Sequence, residues 1–204
     1  MRKYHIQFLL SATDAAQFPE TSAPEIAFLG RSNVGKSSLI NALLGAREAK
    51  VSSTPGRTRA INFFALHDSP KQPRPELIFA DLPGYGYAKI SKSISAEWPK
   101  FIEPYLAERA TLALCVCLVD VNVPPQESDM QLARYLQGAG RATLVVGTKA
   151  DKLSGNGLTK ARHGLLQSLG VERMLTLSAH EGRGISELWK AILEAAALYR
   201  ESQP

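Results

Sequence analysis

The chain has 204 residues, of which 45% are hydrophobic and 21% charged, with a formal net charge of +5. That length suits one α/β domain over residues 1–204, with a core from about 22 to 200, and excludes a small fold that needs metal or disulfide staples. The excess of positive charge fits an anionic partner such as nucleic acid without demanding one. The apolar stretch within Met1 to Leu10 is too short for a signal peptide, and no run is long enough to span a bilayer. The chain therefore reads as cytoplasmic, with no membrane partner, and as a monomer. Its two cysteines, Cys115 and Cys117, share one face if their apolar run is a strand; they read as core thiols in a reducing compartment.

In chain order, residues 4–10 predict a peripheral strand, and a polar connection from Ser11 to Pro24 leads to a buried strand from Glu25 to Gly30. Ile40, Leu43 and Leu44 then recur at helical spacing. Residues 46–59 have turn-forming composition and no periodicity. Ala60 to His67 predicts a strand, joined through the proline-rich Asp68 to Pro75 turn to an antiparallel partner, Glu76 to Asp81. A second loop from Leu82 to Ala88 precedes a helix expected to break or bend near Pro99 and Pro104.

Leu112 to Asp120 is an unbroken apolar run typical of a central parallel strand. Pro124 and Pro125 suit the first turn of a helix running to about Gly138. Ala142 to Gly147 predicts a strand, Leu158 to Leu169 a helix, and Arg173 to Leu177 the last strand. In the final helix Ile185, Leu188, Trp189, Ile192 and Leu193 form a stripe that faces the core. Strands alternating with helices imply a three-layer α/β/α fold whose sheet is mostly parallel with one antiparallel hairpin.

The most informative stretch is Gly30, Arg31, Ser32, Asn33, Val34, Gly35, Lys36, Ser37 and Ser38, which fits the phosphate-binding P-loop between a strand and a helix. Glycines at 30 and 35 let successive backbone N–H groups approach phosphate oxygens, and the helix N-terminus adds partial positive charge. Lys36 would meet the β- and γ-phosphates and Ser37 would ligate Mg²⁺. Asp81, ending an apolar strand before Leu82, Pro83 and Gly84, can hold Mg²⁺ through water, and the Gly84 N–H can sense a γ-phosphate.

Thr148, Lys149, Ala150 and Asp151 follow another strand. A carboxylate at Asp151 accepts from guanine N1–H and the 2-amino group, whereas adenine would present a lone pair to it. Lys149 can lay its stem along the base, and Ser178 and Ala179 can offer a backbone N–H to guanine O6. The nucleotide is read as guanine, so the ligands are GTP and GDP with Mg²⁺.

With Thr54, Pro55, Gly56, Arg57, Thr58, Asn62, Phe63 and Phe64 added, together with Tyr85, Gly86, Tyr87 and Ala88 after Gly84, the sequence resembles the EngB (YihA/YsxC) family of bacterial ribosome-biogenesis GTPases along nearly its whole length. The resemblance implies that Gly56, Arg57 and Thr58 belong to the nucleotide-binding set. It makes Thr58 the switch threonine that reaches Mg²⁺ and the γ-phosphate, and groups Lys36, Thr58 and Gly84 as the catalytic set. Asn33 matches a P-loop asparagine that in related GTPases helps hold a monovalent cation, so K⁺ is the ion to test. Thr148 stands where most GTPases have asparagine, which removes one amide that would tie the base to the P-loop and predicts modest affinity. Tyr85 stands where many carry the glutamine that orients water, so hydrolysis is expected to be slow alone.

The resemblance also implies a large (50S) ribosomal subunit or its precursor as partner, reached through a basic surface of Arg57, Arg59, Lys89, Lys92 and Lys100, which composition alone reads as a solvated rim; Tyr85 and Tyr87 either stack on bases or pack between the loop and the sheet. A link to septation comes with the family and has no residue of its own. The competing reading is a guanine-nucleotide sensor with negligible turnover. A phosphotransferase is disfavoured because the base-recognition box is present and an arginine-rich lid is not.

Overall fold

The computed structural model describes residues 3–45, 60–85 and 100–203. Along the chain these form β1 (His5–Ala12), β2 (Glu25–Gly30), α1 (Lys36–Leu44), β3 (Ile61–His67), β4 (Leu77–Asp81), α2 (Ile102–Glu108), β5 (Leu112–Asp120), α3 (Glu127–Gly138), β6 (Thr143–Thr148), α4 (Gly155–Leu169), β7 (Met174–Thr176) and α5 (Ile185–Glu201). All seven strands share one sheet, in the order β1-β3-β4-β2-β5-β6-β7.

All six residues of β2 are buried, and the strand lies parallel to β4 on one side and β5 on the other. This is the setting that a continuous apolar run needs, since both faces of a central parallel strand are covered. Strand β3 forms the expected antiparallel hairpin with β4, with Asn62 opposite Asp81 and Leu66 opposite Leu77. It also pairs antiparallel with β1, which closes the edge of the sheet as a peripheral strand. Among the described strands β3 alone runs against the rest. Helices α2, α3 and α4 cover one face through Leu106, Leu132, Leu136 and Leu165, while α1 and α5 cover the other through Leu39, Ile40, Leu188 and Ile192. The three layers follow.

At the foot of β2 the side chain of Glu25 is wholly buried. It accepts hydrogen bonds from the Tyr105 hydroxyl at 2.9 Å, Arg109 Nε at 2.9 Å and the Thr111 hydroxyl at 2.7 Å. A buried carboxylate is tolerable only with this degree of pairing. The network fastens the start of the central strand to the end of α2 and to the approach to β5.

Three local expectations change. Pro124 and Pro125 precede α3 instead of forming its first turn; the helix begins at Glu127 after an extended Gln126. Pro104 lies inside the first turn of α2 and does not break it, because a first-turn N–H has no intrahelical acceptor to lose; Pro99 lies outside the described residues. Leu193 is exposed on α5, and Ala196, one turn on from Ile192, takes its place in the buried stripe. Trp189 is the expected core anchor, its ring 5.5 Å from Tyr4 and 5.6 Å from Phe79. Among the described residues no helix is long and apolar enough to cross a membrane.

Cys115 and Cys117 are both buried on the face covered by α2, α3 and α4. Burial pushes the Cys115 thiol up to about 12 and raises Cys117 as well, so neither offers thiolate at neutral pH. A chromogenic disulfide reagent is expected to label neither thiol of the native protein on mixing and both after denaturation; rapid native labelling would contradict the buried placement.

A phosphate loop joined to a base-recognition loop

Four parallel strands, β2, β4, β5 and β6, end along one edge of the sheet, and each delivers a residue to the same region. From β2 the chain turns at Gly30, where an added Cβ would lie 2.7 Å from Val34 Cγ1. Asn33 and Gly35 both have positive φ, 65° and 103°. Asparagine tolerates the left-handed region, and glycine enters it without steric cost. Val34 is buried and pins the loop to the core. Gly35 caps α1 without a side-chain acceptor, leaving Lys36, Ser37 and Ser38 in the first turn with N–H groups directed out of the helix end.

Lys36 Nζ is ion-paired with Asp81 at the end of β4. Beyond it Leu82 and Pro83 are buried and Gly84 is exposed. The Leu82 N–H donates to the Phe28 carbonyl at 3.2 Å and the Ser32 N–H to the Tyr85 carbonyl at 3.0 Å. Gly84 packs so closely on Ser32 that an added Cβ would lie 3.0 Å from its hydroxyl oxygen. The two loops are thus in backbone contact.

Tyr85 takes the packed one of its two expected roles. Its ring is buried, and its hydroxyl donates to Asp129 Oδ1 at 3.0 Å on α3, so it offers no face for stacking on a base. Arg31 of the P-loop reaches the other oxygen of Asp129 at 3.5 Å. Burial and the neighbouring carboxylate hold the Tyr85 phenol well above its usual range, and burial also raises Asp129 against the Tyr85 hydrogen bond and the Arg31 charge. The tyrosine anchors the loop after β4 instead of facing the phosphate region.

The base-recognition loop is tied to the same centre. Thr148 ends β6, and its hydroxyl donates to the Val34 carbonyl at 2.6 Å. The tie between this box and the P-loop, expected to be lost with asparagine, is made by the hydroxyl. Lys149 has φ 58° and donates from Nζ to the Asn33 carbonyl at 2.8 Å and to Asp120 Oδ2 at 2.7 Å. The Ala150 N–H donates to the Leu177 carbonyl at 3.1 Å, joining this loop to the one after β7. There the Ser178 hydroxyl beside Asp151 holds its carboxyl below the ordinary range, ready as an acceptor. The Ser178 N–H, one of the two expected donors to the base, is engaged by the Arg183 carbonyl at 3.0 Å.

Gly56, Arg57 and Thr58, with Arg59, Tyr87, Lys89 and Lys92, lie outside the described residues. Lys100 is exposed, and His180 is a plain exposed loop position as expected. Asp120, Asn122 and Asp129 carry no motif. Asp120 could have been found by the signal that marks Asp81, an acid ending an apolar strand; Asp129 has no such local mark.

A glycine loop on a helix N-terminus, an acid at the neighbouring strand end and an Asp151 box beside Ser178 together define a P-loop GTPase. Residues 25–149 match the family model described as 50S ribosome-binding GTPase. A protein of Acidobacterium capsulatum called probable GTP-binding protein EngB is 66% identical over 191 residues, covering 94% of this chain and 90% of its own. One of the same description from Koribacter versatilis is 60% identical over 190 residues, covering 93% of each. A crystal structure of a probable GTP-binding protein engB superposes with a TM-score of 0.67 at 24% identity, over 85% of this chain and 98% of that one. Era in complex with MgGDPNP and nucleotides 1506–1542 of 16S ribosomal RNA shares the fold at 22% identity and a TM-score of 0.67, over 86% of this chain and 57% of that one. The chain belongs to the EngB family of GTP-binding proteins, and it is a GTPase.

Replacing Tyr85 with phenylalanine removes the hydroxyl that satisfies a buried carboxylate. It is expected to lower the unfolding free energy by about 1–3 kcal/mol. Chemical denaturation measures this, and a change below about 0.5 kcal/mol would show that Asp129 does not depend on the phenol.

Proposed function

We propose that this GTPase is a Mg²⁺-dependent switch of the cytoplasm, acting as one domain in assembly of the large ribosomal subunit and hydrolysing GTP slowly when alone. The observation that carries the reading is the ion pair between Lys36 and Asp81, with Gly84 packed against Ser32. A phosphate that takes the Lys36 ammonium must divide this pair, and the loop after Asp81 is then no longer held from that side. Phosphate occupancy is in this way coupled to a segment beyond the pocket.

The residues fit a magnesium ion. The Ser37 hydroxyl and the Asp81 carboxylate are hard oxygen donors beside the phosphate-binding turn, with Thr58 as a third in this reading. Mg²⁺ bound there would neutralise phosphate charge and polarise the scissile group. Lys36 balances the β- and γ-phosphates, the Gly84 N–H serves the γ-phosphate, and Gly56, Arg57 and Thr58 complete the nucleotide-binding set in this reading. K⁺ beside Asn33 is a second cation to test.

Slow turnover follows from Tyr85: its side chain is committed to Asp129, so it places no hydrogen-bonding group on an attacking water. In this reading Arg57, Arg59, Lys89, Lys92 and Lys100 supply the surface for ribosomal RNA, in keeping with the family description. The link to septation rests on family likeness alone.

Binding to purified large-subunit particles should be measured with GDP, GTP and a non-hydrolysable GTP analogue in K⁺ and Mg²⁺, across a salt series. Analogue-dependent, salt-sensitive binding that is lost in Lys36→Ala is expected. Equal binding with every nucleotide would overturn the switch and favour a guanine-nucleotide sensor.

Base choice has its own check. Asp151→Asn presents an amide donor where guanine presents its 2-amino donor, whereas xanthine presents an oxygen at that position. The variant is expected to lose about 10²-fold or more in GDP affinity and to gain xanthosine diphosphate binding. Unchanged GDP affinity would remove Asp151 from the site.

A further inference from the structure

We propose that Asp120 is a positioning residue for guanine-nucleotide recognition, holding the Lys149 side chain in the orientation on which the base is received. The proposal rests on the guanine-nucleotide reading of the 148–151 box and adds a residue to it.

Asp120 is the last residue of β5 and stands opposite Thr148 in the parallel register of β5 and β6. Its side chain is 10% exposed, and both oxygens are used. Oδ2 accepts from Lys149 Nζ at 2.7 Å. Oδ1 accepts from the Asn122 N–H and from Asn122 Nδ2, both at 2.9 Å. Asn122 Nδ2 also donates to the Lys149 carbonyl at 3.0 Å. Lys149 is therefore gripped at both ends: Asn122 holds its backbone, which sits at φ 58°, while Asp120 and the Asn33 carbonyl hold its ammonium.

A lysine stem has four rotatable bonds and is costly to order, and a ligand that must order it at binding loses affinity. With the ammonium fixed at two points, the methylene stem lies between the P-loop and the base box before any ligand arrives. Burial alone would raise the Asp120 carboxyl, but the bonds from Lys149 and Asn122 outweigh it and keep it below the ordinary range, so it is charged at neutral pH. The bland alternative is that Asp120 only shapes its own turn, since its carbonyl accepts the Val123 N–H at 3.1 Å and its side chain the Asn122 N–H. In that case its loss would weaken the turn independently of Lys149.

A double-mutant cycle separates the two. GDP affinity is measured by titration calorimetry for the wild type, Asp120→Ala, Lys149→Met and the double variant. Asp120→Ala is expected to weaken GDP about tenfold, and the double variant to bind no more weakly than Lys149→Met alone, because there is no ammonium left to position. Inosine diphosphate lacks the 2-amino group, and Asp120→Ala is expected to weaken it by the same factor as GDP, since Asp151 is untouched.

Should the alanine variant fail to fold, Asp120→Asn keeps an oxygen for the Asn122 N–H and removes only the charge facing Lys149. An intermediate loss, about threefold to tenfold, is expected from it. Affinity of a folded Asp120 variant within twofold of the wild type, or losses that multiply in the double variant, would overturn the proposal. Absence of GDP binding in the wild type would overturn the guanine-nucleotide reading along with it, so the two failures are distinguishable.

Discussion

The structure depends on parallel strands ending together. β2 is hydrogen-bonded to a parallel neighbour on each side and buried on each face, so its position along the sheet cannot drift. Once Ile26 is opposite Phe79 and Leu114, Gly30 falls at the same edge as Asp81, and Asp120 falls opposite Thr148 on the far side of β5. Chemistry gathers at that edge because parallel carboxyl ends open there. At the other end the buried Glu25 requires Tyr105, Arg109 and Thr111 as partners, and any slip of β2 would strip a charge of its hydrogen bonds.

Among the described residues three charge pairs lie along this edge, and each crosses between elements. Lys36 meets Asp81, Lys149 meets Asp120, and Arg31 meets Asp129. The P-loop contributes to two of them directly and to the third through the Asn33 carbonyl, which shares the Lys149 ammonium. Partly buried pairs of this kind are poor sources of net stability but strong fixers of relative position, since breaking one leaves an uncompensated charge. The loop is consequently joined to β4, β5 and α3 by contacts that respond to charge. These contacts differ in depth: the Lys36 pair lies at the glycine turn, whereas Tyr85 is packed in the core against Asp129.

Tyr85 and Thr148 illustrate how a departure from the pattern of most GTPases is resolved by packing. A phenol after Asp81, Leu82, Pro83 and Gly84 is a poor water-orienting group, and the fold turns it inward to a buried carboxylate on α3. A threonine at 148 lacks an amide, yet its shorter side chain on a strand end that abuts the P-loop puts a hydroxyl within 2.6 Å of the Val34 carbonyl. In the first case the side chain serves as an anchor to α3; in the second a hydroxyl makes the tie to the loop after β2.

Most of the architecture was legible along the chain because its signals are local. The apolar runs at 25–30 and 112–120, the proline-rich turn at 68–75 and the glycine-lysine-serine pattern at 30–37 each act through their own neighbours. The stripe on α5 was legible too, apart from Leu193, whose exposure is decided by where the helix rests and not by its period. Sequence alone determined the order of elements, the glycine-lysine-serine turn between β2 and α1 and the placement of residues 148–151 after a strand, since backbone conformation is a short-range property. Only the tertiary structure decided that β1 pairs with β3, that Tyr85 meets Asp129 44 positions away and that Lys149 is held by Asp120 29 positions before it. Those partners are brought together by strand order and sheet register, which no local stretch of sequence encodes.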